Sequence, residues 1–357
     1  MRDDVTLLVN GIEYGGWKEV EISAGIERQA RDFTLSVTDR WPGATDIPRR
    51  VKHGDLCEVY IGADKLLTGY VDATPIRYDG RSVSVGVKGR SKTADLVDCS
   101  AVHKTGQWRN AKIERVAADL AAPFGIEVVA EASTGAALTE HQIQPGETVF
   151  ECIDRMLTLR QMLSTDDAEG RVIIIEAGSG GRAATALKYG ENILCADAPL
   201  DYKDVFGSYT VNGQRAGTDE DSGPALSATA SASDTSIKRH RPLVIVQHGQ
   251  VNVQICADRA RFERSHRAAK ALETTYTVQG WRQADGSLWL PNRLVRVTDP
   301  VIGFATEMLI VEATWRRSEE GTRTVIRVGP AAGYMAYRGS KKGKASGGTW
   351  AEARAAQ

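Results

Sequence analysis

Apolar and polar residues alternate along much of the first hundred positions. The period of two is clear over Val5–Val9 and Phe33–Val37, and Asn10-Gly11 supplies a two-residue turn. Short alternating runs separated by turn residues are typical of antiparallel strands. Residues 1–97 are therefore predicted to form a first β module, a sandwich or small barrel, which strands near 200–215 could complete.

The middle of the chain changes period. Apolar residues fall on one helical face over Ile113–Leu120, with Asn110 as the expected N-cap, and again over Val149–Leu157. The apolar run in Arg171–Glu176 then indicates a buried strand. Residues 98–196 are thus predicted to be an α/β module with two helices.

Strand patterns resume in the last part of the chain. Residues 197–335 are predicted to form a second β module that contains a helix over 258–272. The polar stretch 216–236 is expected to be a long exposed loop, and 336–357 a flexible tail, because neither has enough apolar residues to pack. The fold class is therefore α+β, predominantly β.

Charge and hydropathy exclude several classes of protein. The 357 residues include 45 Lys plus Arg and 46 Asp plus Glu, a formal net charge of -1. A protein that coats nucleic acid or anionic membrane usually carries a large basic excess. The acidic start Met1–Asp4 lacks the basic region of a signal peptide, and apolar runs such as Val172–Ile175 are only four residues long. We expect a soluble protein made in the cytoplasm.

No common catalytic or metal-binding pattern occurs. The six histidines form no HxxxH or HExxH, the sequence has no Gly-x-Ser-x-Gly, and the acidic runs at Asp166-Asp167 and Asp219–Asp221 lack EF-hand spacing. The glycine-rich loop Ala177–Arg182 lacks the Lys-Ser/Thr of a phosphate loop, so a tight turn is favoured. We predict no catalytic, cofactor-binding or metal-ligating residue and no enzyme activity.

The cysteines are odd in number and widely spaced, which argues against a disulfide framework or a zinc knuckle. We expect all of them to be small buried hydrophobic residues. They are Cys57, Cys99, Cys152, Cys195 and Cys256.

Basic residues are concentrated in the predicted helix and in the tail. The helix carries Arg259, Arg261, Arg264, Arg267 and Lys270, but on more than one face and among acids. This favours a solvated or interface helix over nucleic-acid recognition. The tail, residues 336–357, holds the best candidate for a local basic patch. The alternative interpretation is that the tail is a flexible linker.

Three local motifs occur in order along the chain. They are Gly89–Ala101 (GRSKTADLVDCSA), Gln107–Asn110 (QWRN) with the helix that ends at Pro123–Ile126, and Gly280–Asn292 (GWRQADGSLWLPN). Together they closely resemble the baseplate hub protein of Mu-like contractile-tailed phages, also called the tail protein D or late control protein D family. The resemblance runs from about Val5 to Gly329.

The resemblance implies a structural protein without a cofactor. Family members have two tail-tube-like β-barrel modules with an α/β module between them, and they assemble as homotrimers around a channel. Three chains with two barrels each would connect the sixfold tail tube to a threefold spike. The implied partners are the trimeric spike, tube-side and other baseplate proteins, and DNA as a passenger through the lumen. The implied location is the virion tail baseplate, assembled in the host cytoplasm without stable membrane association.

Two other functions stay open at this point. Some hub assemblies carry cell-wall-degrading modules, and a related hub could serve a phage-tail-like injection machine. The motif residues also have plain roles: local salt bridges or helix capping for Arg90, Lys92 and Asp95, and core packing for Trp281 and Trp289.

Overall fold

The computed structural model describes residues 3–39, 51–79, 83–214 and 227–335. Within these ranges it contains twenty-two strands and four α-helices, so the prediction of a predominantly β protein is confirmed. Fourteen of the strands belong to one continuous sheet, and the other eight form three small sheets.

The first β module is built where the alternating pattern predicts it. Val5, Leu7 and Val9 all point into one core, and Thr6 and Leu8 between them are half-buried on the opposite face. The strands are β1 (Val5–Val9), β2 (Ile12–Tyr14), β3 (Glu19–Gly25), β4 (Asp32–Asp39), β5 (Leu56–Ile61), β6 (Asp64–Ala73), β7 (Ile76–Tyr78) and β8 (Val83–Ser91). The strand order is β2-β1-β5-β6-β8-β4-β3, with β7 paired to β8.

The α/β module follows directly. Its helices α2 (Ile113–Ala121) and α3 (Val149–Arg160) occupy the two segments with helical periodicity, and a Thr148–Glu151 capping box starts α3. Asn110 is not the N-cap of α2, because it belongs to strand β9 (Gln107–Ala111) and Lys112 is the N-cap. The elements are α1 (Ala94–Asp98), β9 (Gln107–Ala111), α2 (Ile113–Ala121), β10 (Val128–Ala130), β11 (Leu138–Gln142), α3 (Val149–Arg160), β12 (Leu163–Asp166) and β13 (Val172–Ile175).

Strand β13 is apolar throughout because both of its faces are covered. Val172 and Ile174 pack with α2 and α3, whereas Ile173 and Ile175 pack against residues of the β modules such as Val311. The buried strand predicted from the sequence is therefore confirmed. It forms part of the joint between the α/β module and the rest of the molecule.

The second β module extends the same large sheet. It adds β14 (Leu187–Lys188), β15 (Ile193–Asp197), β19 (Thr274–Gln279), β20 (Leu294–Asp299), β21 (Phe304–Ser318) and β22 (Gly321–Pro330). The sheet path runs from β15 through β19, β22 and β21 to β3, so it has two different ends, β15 and β2. Closure of each module into a barrel stays a prediction.

Strand β21 belongs to both β modules. Its first half pairs with β20, where Leu309 is opposite Leu294, and its second half pairs with β3, where Ala313 is opposite Ala24. The register of β21 against β22 shifts between Ile310 and Glu312, where the pairing changes from one module to the other. One fifteen-residue strand therefore links the two modules through main-chain hydrogen bonds.

One of the three small sheets, built from β16, β17 and β18, corrects two expectations. Strand β16 (Ser208–Gln214) does not complete the first module, because it pairs with β17 (Ser227–Ser233) and β18 (Pro242–Gln250). The predicted loop 216–236 is wrong over β17, where alternate alanines such as Ala228 face a helix and Ser/Thr face outward. Positions 216–226 and the tail 336–357 lie outside the described residues.

That helix, α4 (Val253–Lys270), begins earlier than predicted because Asn252 caps it through a hydrogen bond from the backbone N–H of Ile255. It packs on the inner face of the small sheet through residues such as Cys256 and Ala260. No helix in the described part of the chain is long and apolar enough to cross a membrane.

Candidate assembly interface

The third sequence motif, Gly280–Asn292, forms a hairpin at the joint of the two β modules. Trp281 is buried in the first core, which also contains Ile22 and Trp315. Trp289 is buried in the second core, beside Tyr276. The prediction that both tryptophans pack in the interior is confirmed, and the structure adds that each one belongs to a different core.

The arginine of this hairpin holds it to the first module. Arg282 places Nε 2.7 Å from Asp3 Oδ1 and Nη1 2.7 Å from Asp64 Oδ2. Its Nη2 also donates to the carbonyl oxygen of Ile61 at 3.3 Å. A guanidinium that contacts three acceptors on one neighbour restrains orientation as well as distance. The hairpin is thus fixed against the turn between β5 and β6.

The last residue of the motif holds the glycine-rich loop. The side-chain Oδ1 of Asn292 accepts a hydrogen bond from Gly178 N at 2.6 Å, and its carbonyl oxygen accepts one from Gly180 N at 3.1 Å. A Cβ at Gly180 would lie 2.7 Å from that carbonyl oxygen, so only glycine fits. The N–H groups of Gly178 and Gly180 already donate to Asn292, so they are not free to bind a phosphate. The loop therefore does not form a phosphate cradle. The predicted tight turn is confirmed.

The first motif connects the first module to α1. Arg90 forms ion pairs with Asp72 (Nε–Oδ2, 2.8 Å) and Asp98 (Nη2–Oδ2, 2.7 Å), which confirms the predicted local salt bridge. Thr93 precedes the helix without a side-chain capping bond and instead donates to the carbonyl oxygen of Gln29 at 2.7 Å. Burial raises the pKa of Asp95, and the charge of Asp98 adds to the rise while Arg90 opposes it.

The basic residues of α4 are largely engaged in contacts within the chain. Arg259 Nη2 lies 2.6 Å and Arg267 Nε lies 2.9 Å from carboxylate oxygens of Glu263. Lys270 pairs with Glu27, and Arg264 donates to the carbonyl oxygen of Ser233 at 3.2 Å. Cations that already contact acceptors within the chain are poorly placed to bind phosphates. These contacts therefore favour packing within the protein over nucleic-acid recognition for this helix.

One cysteine–histidine pair was not visible in the sequence, because β11 and α3 bring it together only in the fold. His141 Nε2 lies 3.2 Å from Cys152 Sγ. Burial, with a smaller effect of the Arg155 charge, lowers the pKa of His141 to about 4. Burial also raises the pKa of Cys152 to about 12, with Glu147 adding to the rise.

A nucleophilic cysteine needs the opposite shifts, toward a thiolate beside a protonated imidazole. At neutral pH this pair is a thiol and a neutral ring, so it is a packing contact. Within the described ranges, no group of three or more His, Cys, Asp or Glu side chains is arranged to hold a metal ion.

The expectation for the five cysteines is only partly right. Cys57, Cys152 and Cys256 are buried, as predicted, and burial raises the pKa of Cys57 to about 12. Cys99 and Cys195 are exposed, because Cys99 ends a five-residue helix and Cys195 lies on the edge strand β15.

The small sheet presents an uncovered outer face. Val244 and Val246 on β18 are 61% and 64% exposed, and the residues that flank them on β16 are Thr210 and Asn212. In the described chain β18 pairs only with β16, so its other edge has no strand partner. We call the side of the sheet that carries Val244 and Val246 the outer sheet face. An exposed apolar strand edge is a site where another chain can dock.

A run of basic residues precedes β18. Lys238, Arg239 and His240 are exposed, and we call these three residues the basic turn. Arg241 is held inward, because its Nε donates to the carbonyl oxygen of Val205 at 3.1 Å and its guanidinium lies over the Phe206 ring. Sequence reasoning missed this run of four consecutive basic residues, although it can be read directly from the sequence.

Family models cover most of the chain, and their descriptions agree. Residues 4–91 match the N-terminal domain of the Mu phage baseplate assembly protein GpP-like family, and 93–176 the second domain of the baseplate hub protein gp44-like family. Residues 206–262 match the third domain of the tail protein NMB1110-like family, and 252–336 the fourth domain of the Mu phage baseplate assembly protein GpP. None of these descriptions is of an enzyme.

Solved structures show the same relationship. The 43 kDa tail protein of prophage MuSo2 from Shewanella oneidensis superimposes with a TM-score of 0.82 at 32% identity, covering 93% of this chain and 99% of that chain. The tail protein from Neisseria meningitidis MC58 gives a TM-score of 0.81 at 23% identity, covering 94% and 99% of the two chains. The fold therefore belongs to the class of phage tail proteins.

The baseplate hub protein gp44 of Escherichia phage Mu is 32% identical to this chain, over 98% of this chain and 93% of that protein. The chain belongs to the family of baseplate hub proteins of Mu-like phages. The family resemblance seen in the sequence is confirmed, and the function is that of a baseplate hub in a phage tail.

Proposed function

We propose that the protein forms a homotrimeric annulus in the baseplate of a contractile tail and has no enzymatic activity. The observation that carries this proposal is the sharing of β21 by two β modules. Three copies would place six β modules around one axis, which fits a sixfold tube on one side and a threefold spike on the other. Closure of each module into a tube-like barrel is part of the proposal.

A stiff joint between the two modules is what such an adaptor needs. If the modules moved independently, the six units of the ring would not hold one register. Strand β21, the Trp281–Trp289 hairpin and the Arg282 ion pairs all restrain this joint. These contacts support a rigid adaptor.

The proposal also names the binding partners of the ring. The spike trimer would bind on one side and tube-side proteins on the other, with DNA passing through the lumen during delivery. Since tight binding would hinder DNA, we expect a near-neutral or acidic lumen, in line with the net charge of -1. The site of action is the tail baseplate, assembled in the host cytoplasm.

Electron microscopy of the purified full-length chain, alone and mixed with the spike trimer, tests this proposal. We expect hollow rings with threefold symmetry that acquire a central density when the spike is added. The absence of rings both with and without the spike would contradict the proposal. Release of peptidoglycan fragments by the purified chain would contradict the absence of enzymatic activity.

A further inference from the structure

Charge is unevenly distributed along this nearly neutral chain. Residues 92–176, which include the α/β module, hold fourteen Asp plus Glu and eight Lys plus Arg. Residues 227–272, which include β17, β18 and α4, hold three Asp plus Glu and eight Lys plus Arg. An acidic surface and a basic surface on one chain can attract each other between copies.

The basic turn lies far from the crevice that the end of β18 shares with the α/β module. At its C-terminal end, β18 leads to Asn252, which lines the same crevice as Arg160 of the α/β module. The basic turn lies at the other end of this nine-residue strand. At roughly 3.3 Å per residue, the strand separates the two ends by about 25–30 Å. An ion pair between the basic turn and that crevice is therefore out of reach within one chain.

The cations of the turn are available for a partner. Lys238 and Arg239 are exposed, and neither forms an ion pair with any residue in the described ranges. They stand beside the outer sheet face, where Val244 and Val246 are uncovered. An apolar centre with a charged rim is the usual composition of a protein–protein contact.

The acidic module offers a matching edge. Strand β10 is the outer strand of the sheet β10-β13-β12, and Glu127 and Glu131 immediately flank it. Both glutamates are exposed, and within the described chain neither makes a direct ion pair, although the pKa of Arg171, raised mainly by its hydrogen bond to Asp167, is raised further by the charge of Glu127. The β10 edge, defined as 127–131, thus combines an unpaired strand edge with two exposed carboxylates.

We propose that the basic turn of one copy docks on the β10 edge of the next copy, with Lys238 and Arg239 facing Glu127 and Glu131. This inference rests on the proposed homotrimer and names a contact within it. A closed ring requires two different, complementary surfaces on each chain, and these two surfaces meet that requirement. The outer sheet face, with Val244 and Val246, would be covered in the same contact.

Charge reversal in the full-length chain tests the contact. We expect Lys238→Glu with Arg239→Glu to raise the dissociation constant of the trimer at least tenfold, measured by sedimentation at physiological salt, and Glu127→Lys with Glu131→Lys to do the same. Combining all four substitutions should restore the constant to within about threefold of the starting value, because the pairs are re-formed with opposite polarity.

Arg77→Glu with Lys88→Glu is the matched control, since it reverses two exposed cations on the first module and should leave the trimer unchanged. Circular dichroism and the unfolding midpoint show whether each variant is folded. The inference is overturned if the wild-type chain is trimeric and reversal of the basic turn has no effect, or if the fourfold variant fails to recover.

Two further results distinguish this contact from a nucleic-acid site and from a chain that does not assemble. If reversal of the basic turn abolishes binding to a fluorescent DNA duplex and leaves the trimer intact, the turn serves nucleic acid and the inference is wrong. If the wild-type chain stays monomeric with and without the spike, both the proposed function and the proposed contact are wrong.

Discussion

Trp281 and Trp289 stand eight residues apart on one hairpin, and each is buried in the core of a different β module. The indole Nε1 of Trp281 donates to the carbonyl oxygen of Arg316 at 2.9 Å, in the half of β21 that pairs with the first module. The hairpin therefore connects two cores at the place where β21 connects two sheets. Loss of either tryptophan should weaken the joint as well as one core.

Trp281→Ala should lower the free energy of unfolding by about 3–5 kcal/mol, because it removes a fully buried indole and leaves a cavity. Urea denaturation followed by fluorescence and circular dichroism measures the change. Trp281→Phe is the matched variant and should lose less, since it keeps a ring in the cavity. An indole that is accessible to solvent in the folded chain, with no loss on substitution, would refute this role.

Asp166→Ala should cost about 3–5 kcal/mol of stability, since it leaves the charge of Arg31 without its buried partner. Arg31 Nε lies 3.3 Å from Asp166 Oδ1, and the backbone N–H of Arg31 donates to Oδ2 at 3.0 Å. The Asp166 side chain is fully buried between the first module and the α/β module. Asp167→Ala, one residue along, is the control and should cost less, because the Asp167–Arg171 ion pair that it removes is more exposed to solvent. Equal losses for the two variants would argue against the buried ion pair.

Acid should weaken the α/β module through His141. The pKa of this residue falls from an ordinary value of 6.5 in the unfolded chain to about 4 in the folded one. The unfolded chain therefore binds more protons between these two values, and stability decreases as the pH falls from 6.5 to 4. The loss from this group is at most about 3–4 kcal/mol and hardly grows below pH 4.

Urea denaturation at pH 7 and at pH 4.5 measures this effect. The His141→Gln variant should show a smaller difference between the two pH values than the wild-type chain. His240→Gln, which removes an exposed histidine, is the control and should retain the wild-type difference. An unchanged difference in His141→Gln would show that other groups cause the acid sensitivity.

Thiol labelling should separate the cysteines into two classes. In the native full-length chain, maleimide followed by mass spectrometry should modify Cys99 and Cys195 quickly, because both are exposed. The buried thiols of Cys57 and Cys152 have a raised pKa as well, so they should react only after unfolding. Rapid native labelling of Cys57, Cys152 or Cys256 would contradict the described packing.

The sequence predicted the elements whose patterns are local. β1 and β4 alternate because one face of each is buried, and β13 is continuously apolar because both its faces are covered. β17 escaped prediction, since alternating serine and alanine differ little in hydropathy. The division of β21 between two partner strands could not be predicted, because pairing depends on residues nearly 300 positions away, as for Ala24 and Ala313.

The candidate interface was predictable only at the level of the family. The three motifs identified the hub, but they map to internal joints such as the Asn292 loop contact. The basic turn was readable in the sequence, whereas its exposure and its position at the far end of β18 needed the fold. The same is true of Glu127 and Glu131, whose significance comes from the unpaired edge of β10.

The mass of the full-length particle in solution tests the central claim most directly. Light scattering, alone and with the spike trimer, should give a hub mass of three times 38.7 kDa per particle. A trimer would agree with an annulus that places six β modules around one axis. A single copy per particle at every concentration, with and without the spike, would contradict it.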